Sequence, residues 1–551
     1  MTQLKQYESA IERIDEMLTK RHEHGLGPGL SLALTTKDEL LETRTYGALN
    51  ADSGAPVKDE TLFQIGSITK HFTAIACMRL AEQGRLDLQA PVTDVLDWFE
   101  VQSDYEESIT IHHLLTHMSG LVMMIDCYPS SWWQTWVLRN TRLSYEPGER
   151  FSYSNVGYNV LQCILQTVTG KTLDGALREL IFEPLDLKST YGQITSDLYE
   201  RMAVGHKYTV HDDRVTPRPE KQAVVNWYEL SEGCGSVVTT ASELAQFLRM
   251  LLREGVADDG SRFLSEEAFE KLTHPYCQME GFFPGMTQGY GVLIEESEGT
   301  GNSRRIIGGG ENLGFEAGMY GDFADGVGLV LFCNSFDVAW GEMKWIMKTL
   351  VAAAKSEELP ELPKLRSLWP QPLGEKAEAY VGTYASDERS FRIEAKDGEL
   401  WMTADGTSGK LEPLYGDNFT VLHPAFNHGM LSFARDDQEN VVEAFQLGDW
   451  YRSERYDGPT EFQTPTEWAG ITGQYRSFGI LVTNFWIFER KGKLLCQSYG
   501  GYVDEPLNDL GDGWYTTGGP ASGERMTFDA FANGKALRCR ASGGEYYRME
   551  F

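Results

Sequence analysis

A serine hydroxyl becomes a useful nucleophile only beside a base. The chain contains a single Ser-x-x-Lys, Ser67-Ile68-Thr69-Lys70. Residues three apart share a helix face, so a helix opening at Ser67 sets the Lys70 amine beside the hydroxyl. The next residues predict that helix: Phe72, Ile75, Ala76 and Leu80 recur at helical spacing, and Gly84 supplies a C-terminal cap. An apolar helix would desolvate Lys70 and lower its pKa toward the range of a base. A helix N-terminus adds free N–H groups for a developing oxyanion. The same residues also suit a plain serine N-cap followed by a surface lysine, so the motif alone does not decide.

Two further stretches do. Phe151-Ser152-Tyr153-Ser154-Asn155 holds the one Tyr-x-Asn of the chain, and Ile307-Gly308-Gly309-Gly310-Glu311-Asn312 is a glycine-rich turn between apolar runs. In order and separation the three stretches resemble the serine β-lactamase and DD-peptidase superfamily. The branch they look most like holds class C β-lactamases, esterases and D-aminopeptidases. Thr110 to Leu121, Glu146 to Arg150, Phe182 to Leu185 and Gly235 to Thr240 extend the resemblance, which covers roughly residues 10 to 355.

The resemblance implies acyl transfer. Ser67 would attack a carbonyl and form an acyl-enzyme, with Lys70 as the nearest base. Tyr153 matches a tyrosine that relays a proton to the leaving group in these enzymes. Lys70 and Tyr153 would titrate as one coupled system. Asn155 would hydrogen-bond Lys70 or the substrate amide. The backbone N–H groups of Ser67 and of Glu311, the residue after Gly310, would form the oxyanion hole. One position departs from the family pattern. The third motif usually begins with Lys or His, and that place is Gly308. A cation there helps to bind a substrate carboxylate, so its loss counts against β-lactam hydrolysis and carboxypeptidase action. Arg304, Arg305 or a loop from another domain could stand in for it.

The expected activity is therefore a serine hydrolase of D-aminopeptidase or amidase type, acting on small-molecule or short peptide substrates. The alternatives are a carboxylesterase, a weak β-lactamase, or an inactive binding protein that keeps the pocket. No cofactor and no metal is expected. His113 and His117 have the i to i+4 spacing of a metal pair, but no third ligand cluster accompanies them, and His112, His113 and His117 read as packing residues.

With a formal net charge of −32, the chain lacks the basic surface that nucleic acid or anionic lipid demands. No apolar run approaches the ~20 residues that span a bilayer. Met1 to His24 is charged and amphipathic rather than a signal peptide. The eight cysteines are scattered without Cys-x-x-Cys and read as buried free thiols. A soluble cytoplasmic protein is expected, with a homodimer left open.

Periodicity gives the elements that must position these residues. Glu8 to Lys20, Gly157 to Thr169, Leu173 to Phe182, Ser242 to Glu254 and Trp340 to Ala354 have helical spacing. Gly29 to Thr36, Leu40 to Tyr46, 305–310, 314–321 and 327–334 read as strands. Strands at both ends with helices between predict an α+β catalytic domain, in which an antiparallel sheet from both termini is flanked by helices and carries a helical subdomain. It spans 1–357. Pro360, Pro363, Pro370 and Pro372 mark a linker over 358–374. Beyond it, short alternating runs form a weak repeat: Tyr380 to Tyr384 answers Ile471 to Tyr475, and Asp449 to Arg452 answers Glu545 to Arg548. Each unit has room for about eight short strands, so two small antiparallel β-barrel domains are expected, 375–458 and 459–551. The layout resembles bacterial D-aminopeptidases. Gly500 to Glu505, with one tyrosine and two acids, is a loop that could reach over the mouth of the site.

Overall fold

The computed structural model describes residues 4–25, 27–125, 130–210, 217–224, 231–279, 283–297, 303–336, 340–365, 373–414, 416–426, 430–477, 484–498, 504–517 and 523–549. They divide into two compact units. The first holds 1–207, 222–365 and 519–523, and the second 208–221, 366–518 and 524–551.

The first unit is built on a nine-stranded antiparallel sheet. Its middle joins the two ends of the catalytic chain: Gly29–Thr36 pairs with Val327–Cys333, with Leu30 opposite Cys333 and Thr36 opposite Val327. Both strands are buried along their whole length, because helices cover both faces. On one face Ile14 and Leu18 of the helix Leu4–Glu23 meet Ile346 and Leu350 of the helix Trp340–Ala354, over Leu329 and Leu331. On the other, Ala33, Val330 and Phe332 pack with Phe72 of the helix Thr69–Glu82 and Leu248 of the helix Ala241–Leu252. This is the sheet expected from strands at both termini. The helix expected over Leu173 to Phe182 is α-helical only to Leu177 and π-helical from Arg178 to Phe182.

Toward one edge run Phe315–Asp322, then Ser303–Asn312, then Leu293–Ser297. The strand Ser303–Asn312 carries Gly308, Gly309 and Gly310 and extends past the expected 305–310 at both ends. The first part of the expected linker is not free chain. Arg13 donates to the Leu359 and Pro360 carbonyls, Trp345 donates to the Glu361 carbonyl, and Leu359, Leu362 and Leu365 pack on the sheet's outer cluster.

The second unit contains two closed antiparallel barrels of eight strands each. The first runs from Gly382–Ala385 to Asp449–Ser453 and closes with Tyr384 opposite Ser453. The second runs from Gly473–Arg476 to Gly544–Arg548 and closes with Tyr475 opposite Arg548. The repeat has a physical basis. Tyr384 donates to the Tyr380 carbonyl and stacks on Phe391, while Tyr475 donates to the Ile471 carbonyl and stacks on Phe485. Of the loop Gly500 to Glu505, residues 500–503 lie outside the described residues. Asp504 is engaged within its own barrel by Arg490 and Gln497.

Among the described residues, no helix is long and apolar enough to cross a membrane, and no cluster of His, Cys, Asp and Glu could hold a metal ion. The seven described cysteines are free; Cys127 lies outside the described residues.

Candidate active site

Ser67 does not itself open the α-helix. Gly66–Ile68 is a short 3-10 turn that runs directly into the α-helix Thr69–Glu82. The tighter turn still brings Lys70 back onto the serine, with Lys70 Nζ donating to Ser67 Oγ at 3.1 Å. Lys70 is only 3% exposed. Lys70 Nζ also lies within hydrogen-bonding distance of Asn155 Oδ1, at 2.7 Å, and of the Cys234 carbonyl, at 2.9 Å.

Tyr153 approaches the serine from the other side, and its hydroxyl donates to Ser67 Oγ at 2.9 Å. The Lys70 Nζ also lies 4.9 Å from the centre of the Tyr153 ring. Tyr153 ends an extended segment just before the helix Asn155–Thr169. Ser154 caps that helix, its Oγ accepting from Gly157 N at 3.0 Å. The cap fixes where the helix starts, and so fixes Asn155 facing Lys70 and Tyr153 facing Ser67. Two groups able to exchange protons thus converge on one hydroxyl, which is the geometry of an activated nucleophile.

The third stretch closes on the serine through its glycines. Gly66 has φ +50°, and a Cβ there would lie 2.5 Å from Glu311 N. A Cβ on Gly310 would lie 1.9 Å from the Ile65 carbonyl oxygen and 2.7 Å from Ser67 N. Two backbones therefore meet with only hydrogen between them. This brings the expected oxyanion donors, Ser67 N–H and Glu311 N–H, to one junction. The Glu311 side chain is exposed.

Gly308 has a local reason to lack a side chain. A Cβ there would meet Met319 Cε at 3.2 Å, and His71 Cε1 and Ile68 Cγ1 at 3.3 Å. The residues expected to supply a substitute cation are engaged elsewhere. Arg305 pairs with Asp322 at 2.8 Å, and Arg304 donates to the Thr273 carbonyl and lies over the Phe323 ring. Gly310 lies five positions beyond Arg305, roughly 16 Å of strand.

His117 is the residue whose part was not legible as more than packing. Its carbonyl accepts from Ser152 N at 2.7 Å, and its Nδ1 accepts from Ser154 N at 3.0 Å. Those two bonds bracket Tyr153. The His117 ring also lies 4.5 Å from the Tyr153 ring, centre to centre. Burial, with Lys70 adding to it, holds the His117 pKa well below its ordinary value, so the ring stays neutral and Nδ1 stays an acceptor. The signal available in sequence was the four-residue step from His113. That step means nothing here, because His113 turns back to cap its own helix through Thr110.

Among the described residues, the segment 231–236 also borders the site. Cys234 binds Lys70 through its carbonyl, and the Gly235 carbonyl accepts from Asn312 Nδ2 at 2.9 Å. Glu232 lies on this segment, and nothing in the sequence around it signals a role.

The family model described as Beta-lactamase matches residues 14–353. Penicillin-binding protein 4 of Amycolatopsis lactamdurans is 32% identical over 264 residues, 46% of this chain and 66% of that protein. Esterase EstB of Burkholderia gladioli is 31% identical over 223 residues, 37% of this chain and 55% of that protein. The chain thus spans less than two thirds of the length of either relative. Among solved structures, the D-amino acid amidase from Ochrobactrum anthropi SV3, complexed with L-phenylalanine amide, aligns with a TM-score of 0.51 at 25% identity, covering 63% of this chain and 98% of that one.

Proposed function

The chain belongs to the beta-lactamase family of serine hydrolases, and from that premise we propose that it cleaves amide bonds of small aminoacyl or short peptide substrates, with a preference for the D configuration, through an acyl-enzyme on Ser67. The observation that carries this reading is the convergence of Lys70 Nζ and Tyr153 OH on Ser67 Oγ.

In the proposed reaction, the coupled Lys70–Tyr153 pair is one proton short of full protonation, and Ser67 Oγ attacks the substrate carbonyl carbon as its proton passes to the deprotonated member of that pair. The tetrahedral oxyanion is held by the N–H groups of Ser67 and Glu311. Tyr153 then donates to the departing amine, the C–N bond breaks and the acyl-enzyme remains. Water attacks the ester with the same pair taking its proton, and Ser67 regains its own.

Amide substrates are favoured over β-lactams by the glycine at position 308, which leaves no cation at that point of the strand to receive a carboxylate. The amidase neighbour supports the same direction. EstB favours a second reading, a carboxylesterase, which needs the same four groups and no amine recognition. One panel separates the two: D- and L-aminoacyl p-nitroanilides beside short-chain p-nitrophenyl esters. The amidase reading expects turnover of the D-anilides with kcat/KM above that for their L forms. Hydrolysis of the esters alone would replace it with the esterase reading.

A further inference from the structure

We propose that Glu232 is the carboxylate that receives the substrate's free ammonium group. This rests on the amidase reading and names the group that would select amine-bearing substrates.

Glu232 is tied to the reacting groups through its own segment. Two residues on, the Cys234 carbonyl accepts from Lys70 Nζ at 2.9 Å, and the Cys234 thiol lies 3.7 Å from Glu232 Oε2. Lys70 is close enough to act electrostatically on the Glu232 carboxyl. The α-amine of an aminoacyl substrate is only two bonds from the carbonyl carbon that Ser67 attacks, roughly 2.5 Å. Its receptor must therefore stand beside the Ser67–Lys70 pair. Gly235, the residue after Cys234 on that segment, has open space beside it: a Cβ there would meet nothing nearer than Asn312 Oδ1 at 3.9 Å.

The groups that hydrogen-bond the carboxyl are neutral. Oε1 accepts from Gln134 Nε2 at 2.7 Å. Gln134 is itself held by Asn159, whose Oδ1 accepts from Cys234 N. Among the described residues no lysine, arginine or histidine makes an ion pair with Glu232. Glu232 is partly withdrawn from water, and acidic side chains taken from water are ordinarily paired with a cation. Burial raises the Glu232 pKa, and Lys70 only partly offsets this. An ammonium would complete the set with a charge-assisted bond, and would relieve its own repulsion from Lys70. Glu311, the other acid at the junction, has an exposed carboxylate, where a salt bridge contributes little.

The test compares D-alanine p-nitroanilide with its N-acetyl derivative on wild type, Glu232→Gln and Glu311→Gln. The expected result is that Glu232→Gln lowers the ratio of kcat/KM, free amine over N-acetyl, by about 30-fold or more through KM. Glu311→Gln should move that ratio by less than about threefold. Equal losses on both substrates would make Glu232 a structural support of Gln134 and Cys234 and overturn the proposal, as would an unchanged ratio. A wild type that cleaves esters but no aminoacyl anilide sinks the amidase reading instead. The inference is then judged by inhibition of p-nitrophenyl acetate hydrolysis with D-alanine amide. Inhibition weakened by Glu232→Gln keeps it, and no inhibition ends it.

Discussion

Adding one methyl group at each of three consecutive glycines should give three different outcomes. At Gly310 the new Cβ would lie 1.9 Å from the Ile65 carbonyl oxygen, where ordinary contact begins near 3.4 Å. The strand and the Gly66–Ile68 turn would have to part by about 1.5 Å, and both sides of the clash are backbone. A misplacement of ~1 Å near reacting atoms costs about 10²-fold, and loss of one oxyanion donor costs about 10²–10³-fold. Gly310→Ala should therefore lower kcat/KM by about 10²–10³-fold. At Gly308 the obstacles are the ends of side chains, Met319 Cε, His71 Cε1 and Ile68 Cγ1 at 3.2–3.3 Å. They need to give only a few tenths of an ångström, so Gly308→Ala should lose less than about tenfold. At Gly309 the Cβ points to the other face of the sheet, 2.6 Å from Trp340 Cζ2. Gly309→Ala should cost about 1–3 kcal/mol of stability by overpacking, with a smaller effect on rate than Gly310→Ala. Steady-state kinetics on whichever p-nitrophenyl ester or p-nitroanilide the wild type turns over best, with thermal melts of the same preparations, read both quantities. A Gly310→Ala enzyme within fivefold of wild type would refute the idea that the two backbones must touch for the site to form.

Tyr153→Phe removes only the oxygen that donates to Ser67 Oγ and should lower kcat by about 10²-fold or more; a near wild-type rate would leave Tyr153 a packing residue. For His117, His117→Asn keeps an acceptor for Ser154 N and suits the φ of +56°, while His117→Phe keeps the ring but loses the acceptor. We expect His117→Phe to lose about ten- to a hundredfold in kcat and His117→Asn to recover part of it, measured with KM and melting temperature; equal losses in both variants would tie function to the ring instead. Burial of His71 pushes its pKa down to about 4 from an ordinary 6.5. The unfolded chain therefore binds a proton that the folded one refuses between those values. Its contribution to stability is complete above pH 6.5 and declines as pH falls toward 4, by up to about 3 kcal/mol. Urea melts at pH 7 and pH 4.5 should show a smaller loss in His71→Leu than in wild type, and identical losses would refute the assignment.

Much of the site was legible because its chemistry is local. Ser67 and Lys70 are one turn apart, and Tyr153 and Asn155 flank a helix start that Ser154 caps. The sheet was legible because strands buried on both faces are continuous apolar runs, as in Val327–Cys333. The barrels showed as a repeat because the same tyrosine-to-carbonyl bond anchors each. What sequence could not give was long-range contact. His117 works through backbone 35 and 37 residues away. The emptiness at Gly308 is explained by His71, which lies on another element. Glu232 acquires meaning only from the fold that lays its segment against Lys70. The 3-10 turn at Ser67 is hidden for a related reason, since Gly66 takes φ +50° to let the strand end approach.

Ser67 as the nucleophile is the claim on which the rest depends. Intact-mass analysis and peptide mapping after treatment with a fluorophosphonate test it most directly. One adduct per chain is expected, on the peptide that holds Ser67. Ser67→Ala should take up no label and lose turnover while its melting temperature stays near that of wild type. Label on a different residue, or hydrolysis that survives in Ser67→Ala, would contradict that role.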